Sequence, residues 1–197
     1  MVRNPANWEI VGRENILVEP PIFHIERQRC RQEESGREGN FYVITCSEWV
    51  HIVPVTTDGK IVLVRQFRFG SRRLSLETPG GIVDEGETAV DAAERELLEE
   101  TGYRAKAMRQ LAVLRPNPAM QNNRLHLFLG EDCEKICGQR LDTFEEIAVT
   151  AVDPAVVYGK IASGEIDHAL AAVSLLLAKP AIDDRLAKFS GGGAAQD

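Results

Sequence analysis

No stretch of the chain is apolar for long enough to cross a bilayer as a helix. The opening residues, MVRNPANWEI, lack the apolar centre of a secretory signal. These two absences predict a cytoplasmic protein without membrane contacts. Positive charge is also short, with 23 Lys and Arg against 30 Asp and Glu and a formal net charge of -7. A duplex nucleic-acid binder needs a basic face to displace counterions, so no nucleic-acid partner is expected. An anionic small substrate is not excluded, because bound cations can reverse the local sign. Cysteine is scarce: Cys30, Cys46, Cys133 and Cys137 form no CxxC pair, and no second half of a zinc site accompanies them. They read as free thiols, small hydrophobes that are buried or half-buried. There is no internal repeat, and His24, His51, His126 and His168 stand in no motif, so no chemistry is assigned to them.

What the chain does have is the composition of an ordinary globular protein, 44% hydrophobic and 27% charged over 197 residues. That length holds one large domain, or one domain with a small appendage. WEIVGRENILVEP, FHIERQRCRQ and NFYVITCSEWVHIVPVT read as strands, with turn material in EESGREGN. TTDGK is a tight turn through Asp58-Gly59, leading into the apolar strand IVLVRQFRF. RQLAVLRP, RLHLFLGED and FEEIAVTAVD are further strands, and NPAMQNN is a loop. PAVVYGKIASG begins with a proline suited to a first helical turn and ends on Gly164. DHALAAVSLLLAKP predicts a buried helix closed by Pro180, and SGGGAAQD has too little apolar surface to order. Strands with a few helices, not in strict alternation, predict a mixed α+β sheet.

The segment GGIVDEGETAVDAAERELLEETGY, residues 80–103, carries eight carboxylates. Thr88 to Thr101 reads as a helix, with Thr88 as N-cap, Asp91 completing an approximate capping box and Gly102 as the left-handed C-terminal residue. Val90, Ala93 and Leu97 form an apolar stripe, and Glu96, Glu99 and Glu100 share the adjoining face. An acidic run is ordinarily a solvated face; the alternative is a site for a hard cation held by carboxylate oxygens. The wider spacing decides. The segment fits G-x5-E-x7-R-E-U-x-E-E-x-G-U, where U is bulky and apolar, through Gly81, Glu87, Arg95, Glu96, Leu97, Glu99, Glu100, Gly102 and Tyr103. At average residue usage a chance match in such a chain is rarer than roughly one in 100,000.

This pattern resembles the signature of the Nudix hydrolases, and the match is complete. The resemblance implies the Nudix fold, a mixed β-sheet sandwiched between helices, and hydrolysis of nucleoside diphosphates linked to another group with divalent cations. It implies Glu96, Glu100 and the Gly80 carbonyl as metal ligands, and Glu99 as a ligand or its close neighbour. Glu87 and Arg95 match the ion pair that orients the helix carboxylates. Mg2+ is the expected cofactor, with Mn2+ as the alternative.

Features outside the signature narrow the substrate. Pro118 lies sixteen residues after Gly102, which is similar to the ADP-ribose pyrophosphatases of the family. VRQFRFG and LSLETPGG resemble the strand pair ahead of the signature in ADP-ribose and nucleotide-sugar hydrolases. There the residue matching Arg68 approaches a phosphate and that matching Glu77 lies near the site. FEEIAVTAVDPAVVYGKIASGEIDHALAAVSLLLA resembles the end of the same subfamily, where a glutamate is a metal ligand or catalytic base; Glu145 aligns best, with Glu146 as its neighbour. Side chains alternate along a strand, so only one of the two should face the site. The loop RPNPAMQNN departs from the ADP-ribose pattern: it lacks the expected glycine and acidic residues and offers Gln121, Asn122 and Asn123, whose amides suit sugar hydroxyls or a base edge. That departure leaves other nucleoside diphosphate sugars open. The first fifty or so residues resemble, in outline, an N-terminal antiparallel β-subdomain that exchanges between two chains in that subfamily, implying a homodimer. Trp8, Phe23, Phe41 and Trp49 are candidates for stacking on a base or for core packing. The expected division is 1–49 for this subdomain, 50–189 for the hydrolase domain and 190–197 for a flexible tail. The rival readings are a hydrolase of another dinucleotide or coenzyme, and a sensor that binds a nucleotide sugar without cleaving it.

Overall fold

The computed structural model describes residues 8–19 and 23–191. It divides into two compact units, one of the residues up to Ser47 together with Arg115–Arg124, the other of Glu48–Leu114 with the chain from Leu125 onward.

The first unit is a three-stranded antiparallel sheet in the order β1 (Trp8–Glu19), β2 (Phe23–Gln32), β3 (Glu38–Cys46). Arg115–Arg124 is tied to β3 through Ile44, whose N–H donates to the Met120 carbonyl at 2.7 Å and whose carbonyl accepts from Asn122 N–H at 3.3 Å. Ile10, Phe23, Phe41 and Tyr42 are exposed on this sheet. The Trp8 side chain lies outside the described residues.

The second unit is an eight-stranded mixed sheet. Its strands are β4 (Trp49–Thr56), β5 (Ile61–Arg68), β6 (Arg73–Glu77), β7 (Gly80–Ile82), β8 (Tyr103–Arg104), β9 (Ala107–Leu114), β10 (Leu125–Lys135) and β11 (Ala148–Val152). The order is β11-β5-β4-β10-β8, with β6 beside β5, β7 beside β4 and β9 beside β10. β10 runs parallel to β4 and the other pairings are antiparallel.

β4 explains why the sheet carries helices on two sides. Side chains alternate across a strand. Val50 and Ile52 pack with Ala92, Ala93 and Leu97 of α1 (Ala89–Thr101), while Val53 and Val55 pack with Ala171, Leu175, Ala178 and Ile182 of α3 (Ala169–Gly191). Both faces are covered, so β4 is buried without interruption from Val50 to Thr56. Val157 of α2 (Pro154–Ala162) joins the α3 side.

Several sequence expectations need correction. NFYVITCSEWVHIVPVT is not one strand: it breaks at Ser47-Glu48, because β3 belongs to the small sheet and β4 to the centre of the large one. Pro180 does not close its helix; α3 continues through it to Gly191. A proline removes one helical hydrogen bond, and burial of Ala178 and Ile182 on either side carries the helix past it. The expected tail therefore begins inside α3, and residues 192–197 lie outside the described part. β11 starts only at Ala148, so Glu145 and Glu146 are not strand residues. Val90 is exposed, and the buried seam of α1 is Ala92, Ala93, Leu97, Glu100 and Thr101. The four cysteines are free, as expected.

Candidate active site

α1 is built as its sequence dictates. Thr88 Oγ1 accepts from Asp91 N–H at 3.2 Å, and the Thr88 hydroxyl donates to the Asp91 carboxylate at 2.5 Å. Gly102 ends the helix in the left-handed region at φ 74°, its N–H donating to the Leu98 carbonyl. A side chain there would be strained and would also overlap the Cys137 carbonyl.

Arg95 spends its guanidinium on this segment. It clasps Glu87 with two bonds of 2.9 Å, and donates to Glu96 at 2.8 Å, to Glu99 at 3.2 Å and to the Ile82 carbonyl at 3.0 Å. Such a fork fixes planar acceptors that an ammonium could not. Glu87 and Arg95 thus form a pair, and Arg95 carries its hold on to two further carboxylates.

Glu100 is treated differently. Its side chain is buried and accepts from the Gly80 N–H at 2.9 Å. Burial pushes its carboxyl up to about 8; the Gly80 N–H opposes this, and the charges of Glu96 and Glu145 add to it. Burial also raises Glu96, with Arg95 opposing and Glu99 and Glu145 adding. The two glycines of β7 make the close approach possible. A Cβ on Gly80 would overlap the Val50 carbonyl, and one on Gly81 would overlap the Glu96 carboxylate. The structure brings the Gly80 N–H, rather than its carbonyl, to Glu100.

Across β4 stands a second cluster. Glu77, with no exposed surface, receives two bonds from Arg68, of 2.9 and 2.6 Å. Burial pushes the Glu77 carboxyl up, but the Arg68 guanidinium outweighs it and holds the group below its usual range. His51 and His168, which carry no sequence signal, join here with rings stacked at 5.6 Å and 14°. His51 is buried, its Nδ1 2.8 Å from Thr78 Oγ1, and desolvation lowers it to about 3. A cavity of about 520 Å3 is bordered by Trp49, Arg68, His168 and the Gly80-Gly81 edge. A second, of about 490 Å3, is bordered by Arg68, Phe144, Glu145 and Glu146.

Glu145 lies in the loop ahead of β11, where Asp142 N–H donates to its carboxylate at 3.2 Å. Its charge is felt by Glu96, Glu100 and Arg68. Gln139, unmarked in the sequence, pins this loop: its amide donates to the Glu100 carbonyl at 2.7 Å and to the Ile147 carbonyl at 2.9 Å. Pro118, Gln121 and Asn123 belong to the first unit. There Gln121 bridges to Ile44, and Asn123 is buried with its amide donating to the Ser47 carbonyl at 3.2 Å.

Among the described residues no three acidic, histidine or cysteine side chains converge to hold a metal ion. Arg95 draws Glu96 and Glu99, and the Gly80 N–H draws Glu100. The donor set still fits a hard divalent cation. It is all oxygen, and Glu96 and Glu100 are raised by burial beside like charge, a cost that a cation would offset.

The NUDIX domain model matches residues 49–172. This chain belongs to the Nudix family. It is 36% identical over 104 residues to the ADP-ribose pyrophosphatase of Bacillus subtilis (strain 168), covering 52% of this chain and 56% of that protein. It is 32% identical over 88 residues to the ADP compounds hydrolase NudE of Escherichia coli (strain K12), covering 45% and 47%. It is 31% identical over 114 residues to a methanol dehydrogenase activator of Bacillus methanolicus, covering 56% and 62%. The chain thus spans roughly half of each of these curated relatives. A crystal structure of an ADP compounds hydrolase superposes with a TM-score of 0.80 at 21% identity, covering 93% of this chain and 98% of that one, so the Nudix fold extends over nearly the whole sequence.

Proposed function

We propose that this Nudix protein hydrolyses the diphosphate bond of ADP-ribose or a related nucleoside diphosphate sugar, releasing a nucleoside monophosphate and a sugar phosphate. The observation that carries the reading is Glu100: a carboxylate on the signature helix, buried beside Glu96 and Glu145, with the Gly80 N–H as its hydrogen-bond partner. Keeping such a group is costly unless a cation completes it. Glu96, Glu99 and Glu100 would hold Mg2+ or Mn2+, with the Gly80 carbonyl and Glu145 as further donors. A bound divalent cation would neutralise the diphosphate and lower the pKa of the attacking water.

The chain's own groups supply the rest. Arg95, held by Glu87, keeps Glu96 and Glu99 at fixed positions. Arg68 borders both cavities and offers its exposed edge to a phosphate, with Glu77 fixing its orientation. Two cavities of similar size suit a substrate with a group on each side of a diphosphate. Glu145, or Glu146 beside it, takes the proton of the attacking water. The names of the relatives from Bacillus subtilis and Escherichia coli point to adenine nucleotides. Pro118, Gln121 and Asn123 are proposed substrate contacts on the first unit, which we assign to homodimer formation.

Purified protein should be assayed with Mg2+ or Mn2+ against ADP-ribose, other nucleoside diphosphate sugars, dinucleotides and coenzymes, with products identified. Release of a nucleoside monophosphate from a nucleotide sugar supports the proposal. Cleavage confined to dinucleotides or coenzymes, or tight binding without cleavage, refutes it.

A further inference from the structure

We propose that His168 contacts the substrate, donating a hydrogen bond from a neutral ring, through Nε2–H, to a phosphoryl oxygen held beside Arg68. This rests on the diphosphate-hydrolase reading and adds to it a residue that neither the signature nor the family resemblance marks.

The tautomer is set by the fold. His168 immediately precedes α3, and its carbonyl accepts from Ala172 N–H at 2.9 Å. The Ala171 N–H donates to His168 Nδ1 at 3.3 Å. A ring nitrogen that accepts a backbone N–H carries no proton, so the proton of the neutral ring is on Nε2. A second proton on Nδ1 would break that cap and put positive charge at the positive end of a helix. Burial acts in the same direction and lowers the ring's pKa, with Glu77 opposing.

The ring plane is fixed by stacking on His51, itself anchored to Thr78. Nε2 lies 3.8 Å from the Glu77 carboxylate, too far for a hydrogen bond. Glu77 is already committed to Arg68 by two bonds. Among the described residues the Nε2–H has no hydrogen-bond partner, and His168 borders the cavity with Arg68, Gly80 and Gly81.

The chemistry of the neighbours selects the ligand atom. The nearby acceptors are engaged: Glu77 by Arg68, and Asp167 by Arg73 at 2.6 Å. Arg68 and His168 both bring N–H groups to this cavity, which suits an oxygen that only accepts. A phosphoryl oxygen does so; a sugar hydroxyl must also donate. The Arg68–Glu77 pair carries no net charge, so a neutral donor adds affinity for the diphosphate without a second buried cation that would need its own partner.

The test compares wild type with His168→Phe, which keeps an aromatic ring against His51 but has no donor, and His168→Gln, which restores an N–H. KM and kcat are measured with ADP-ribose and Mg2+. Binding of ADP and of adenosine is measured separately by calorimetry. For His168→Phe, KM and the ADP dissociation constant should rise about tenfold, with kcat moving far less. Adenosine binding should not change, and His168→Gln should recover most of the loss. The proposal is overturned if His168→Phe binds ADP like wild type, if His168→Gln is as weak as His168→Phe, if adenosine weakens equally, or if wild type does not bind ADP. Should wild type bind ADP but cleave no nucleotide sugar, the hydrolase reading falls while the ADP comparison still decides the role of His168. Turnover by wild type with no shift in His168→Phe leaves the hydrolase standing and removes this residue from it.

Discussion

Two glutamates are buried on opposite sides of the same short segment, Glu77 at the end of β6 and Glu100 near the end of α1, and the structure treats them in opposite ways. Glu77 has a full partner. Arg68 gives it two bonds, and its carboxyl is held below the usual range despite burial. Glu100 has a backbone N–H, the more distant charge of Arg68 and two negatively charged neighbours, and burial pushes it up to about 8. The same side chain under the same burial is a finished ion pair in one place and an unmet demand for positive charge in the other. The first is a part of the scaffold that aims an arginine. The second makes sense where a cation completes the site.

The comparison is broken most severely at the finished pair. Arg68→Met leaves Glu77 fully buried without the guanidinium that balances its charge, and should cost about 3–5 kcal/mol of folding stability in urea denaturation. Glu77→Gln should cost less, about 1–2 kcal/mol, because its amide can still accept a hydrogen bond and the half-exposed Arg68 can turn to water. Equal losses would mean that the pair does not depend on which charge is stranded.

At the unmet site the consequences invert. Glu100→Gln should lower turnover by on the order of a hundredfold or more, as removal of an electrostatic catalytic contact does. Yet it should leave the metal-free protein at least as stable as wild type, since an amide resembles the protonated acid that burial favours. Loss of stability together with activity would place Glu100 in the scaffold alongside Glu77.

The sign of this effect can be read through pH. The Glu100 carboxyl rises from an ordinary 4.5 to about 8 in the folded protein. Between those values the folded state keeps a proton that the unfolded state has released, so stability falls as pH rises. The contribution is complete below pH 4.5 and is gone once pH has passed 8. With a chelator present, the urea midpoint of wild type should therefore fall between pH 5 and pH 8 relative to Glu100→Gln, by about the slope of one proton. Parallel profiles would show that burial of Glu100 carries no penalty.

Much of the acidic half of this comparison is legible in the sequence. Spacing alone places Glu96, Glu99 and Glu100 on one face and caps the helix at Thr88 and Gly102. These are local relations, fixed by 3.6 residues per turn. The pairing of Arg95 with Glu87, which lies ahead of the helix, comes from the family resemblance. The histidine half is not legible. His51 sits mid-strand and His168 ahead of a helix more than a hundred residues later, and only the packing of α3 on β4 brings the rings together. At Pro180 a local rule for proline meets a tertiary face that continues beyond it, so the helix runs on to Gly191. Apolar alternation in IAVTAV runs back toward Glu145 and Glu146 and so suggests a strand there, whereas β11 begins at Ala148.

Gln139 gives the mildest test, because it touches the unmet site only through its frame. Its amide clips the Glu145 loop to the carbonyl at the base of Glu100, but the backbone N–H of Arg140 also holds the loop, donating to the Glu99 carbonyl at 2.9 Å. Gln139→Leu removes the first attachment and keeps the second. The expected cost is about 1 kcal/mol in stability, with kcat falling about fivefold and KM little changed. Gln139→Glu should be at least as damaging even though it conserves shape, because a carboxylate cannot donate to two carbonyls and adds negative charge next to Glu100. If Gln139→Glu were active and Gln139→Leu were not, the clip would act by filling space, and Glu145 would owe its place near Glu96 and Glu100 to the backbone alone.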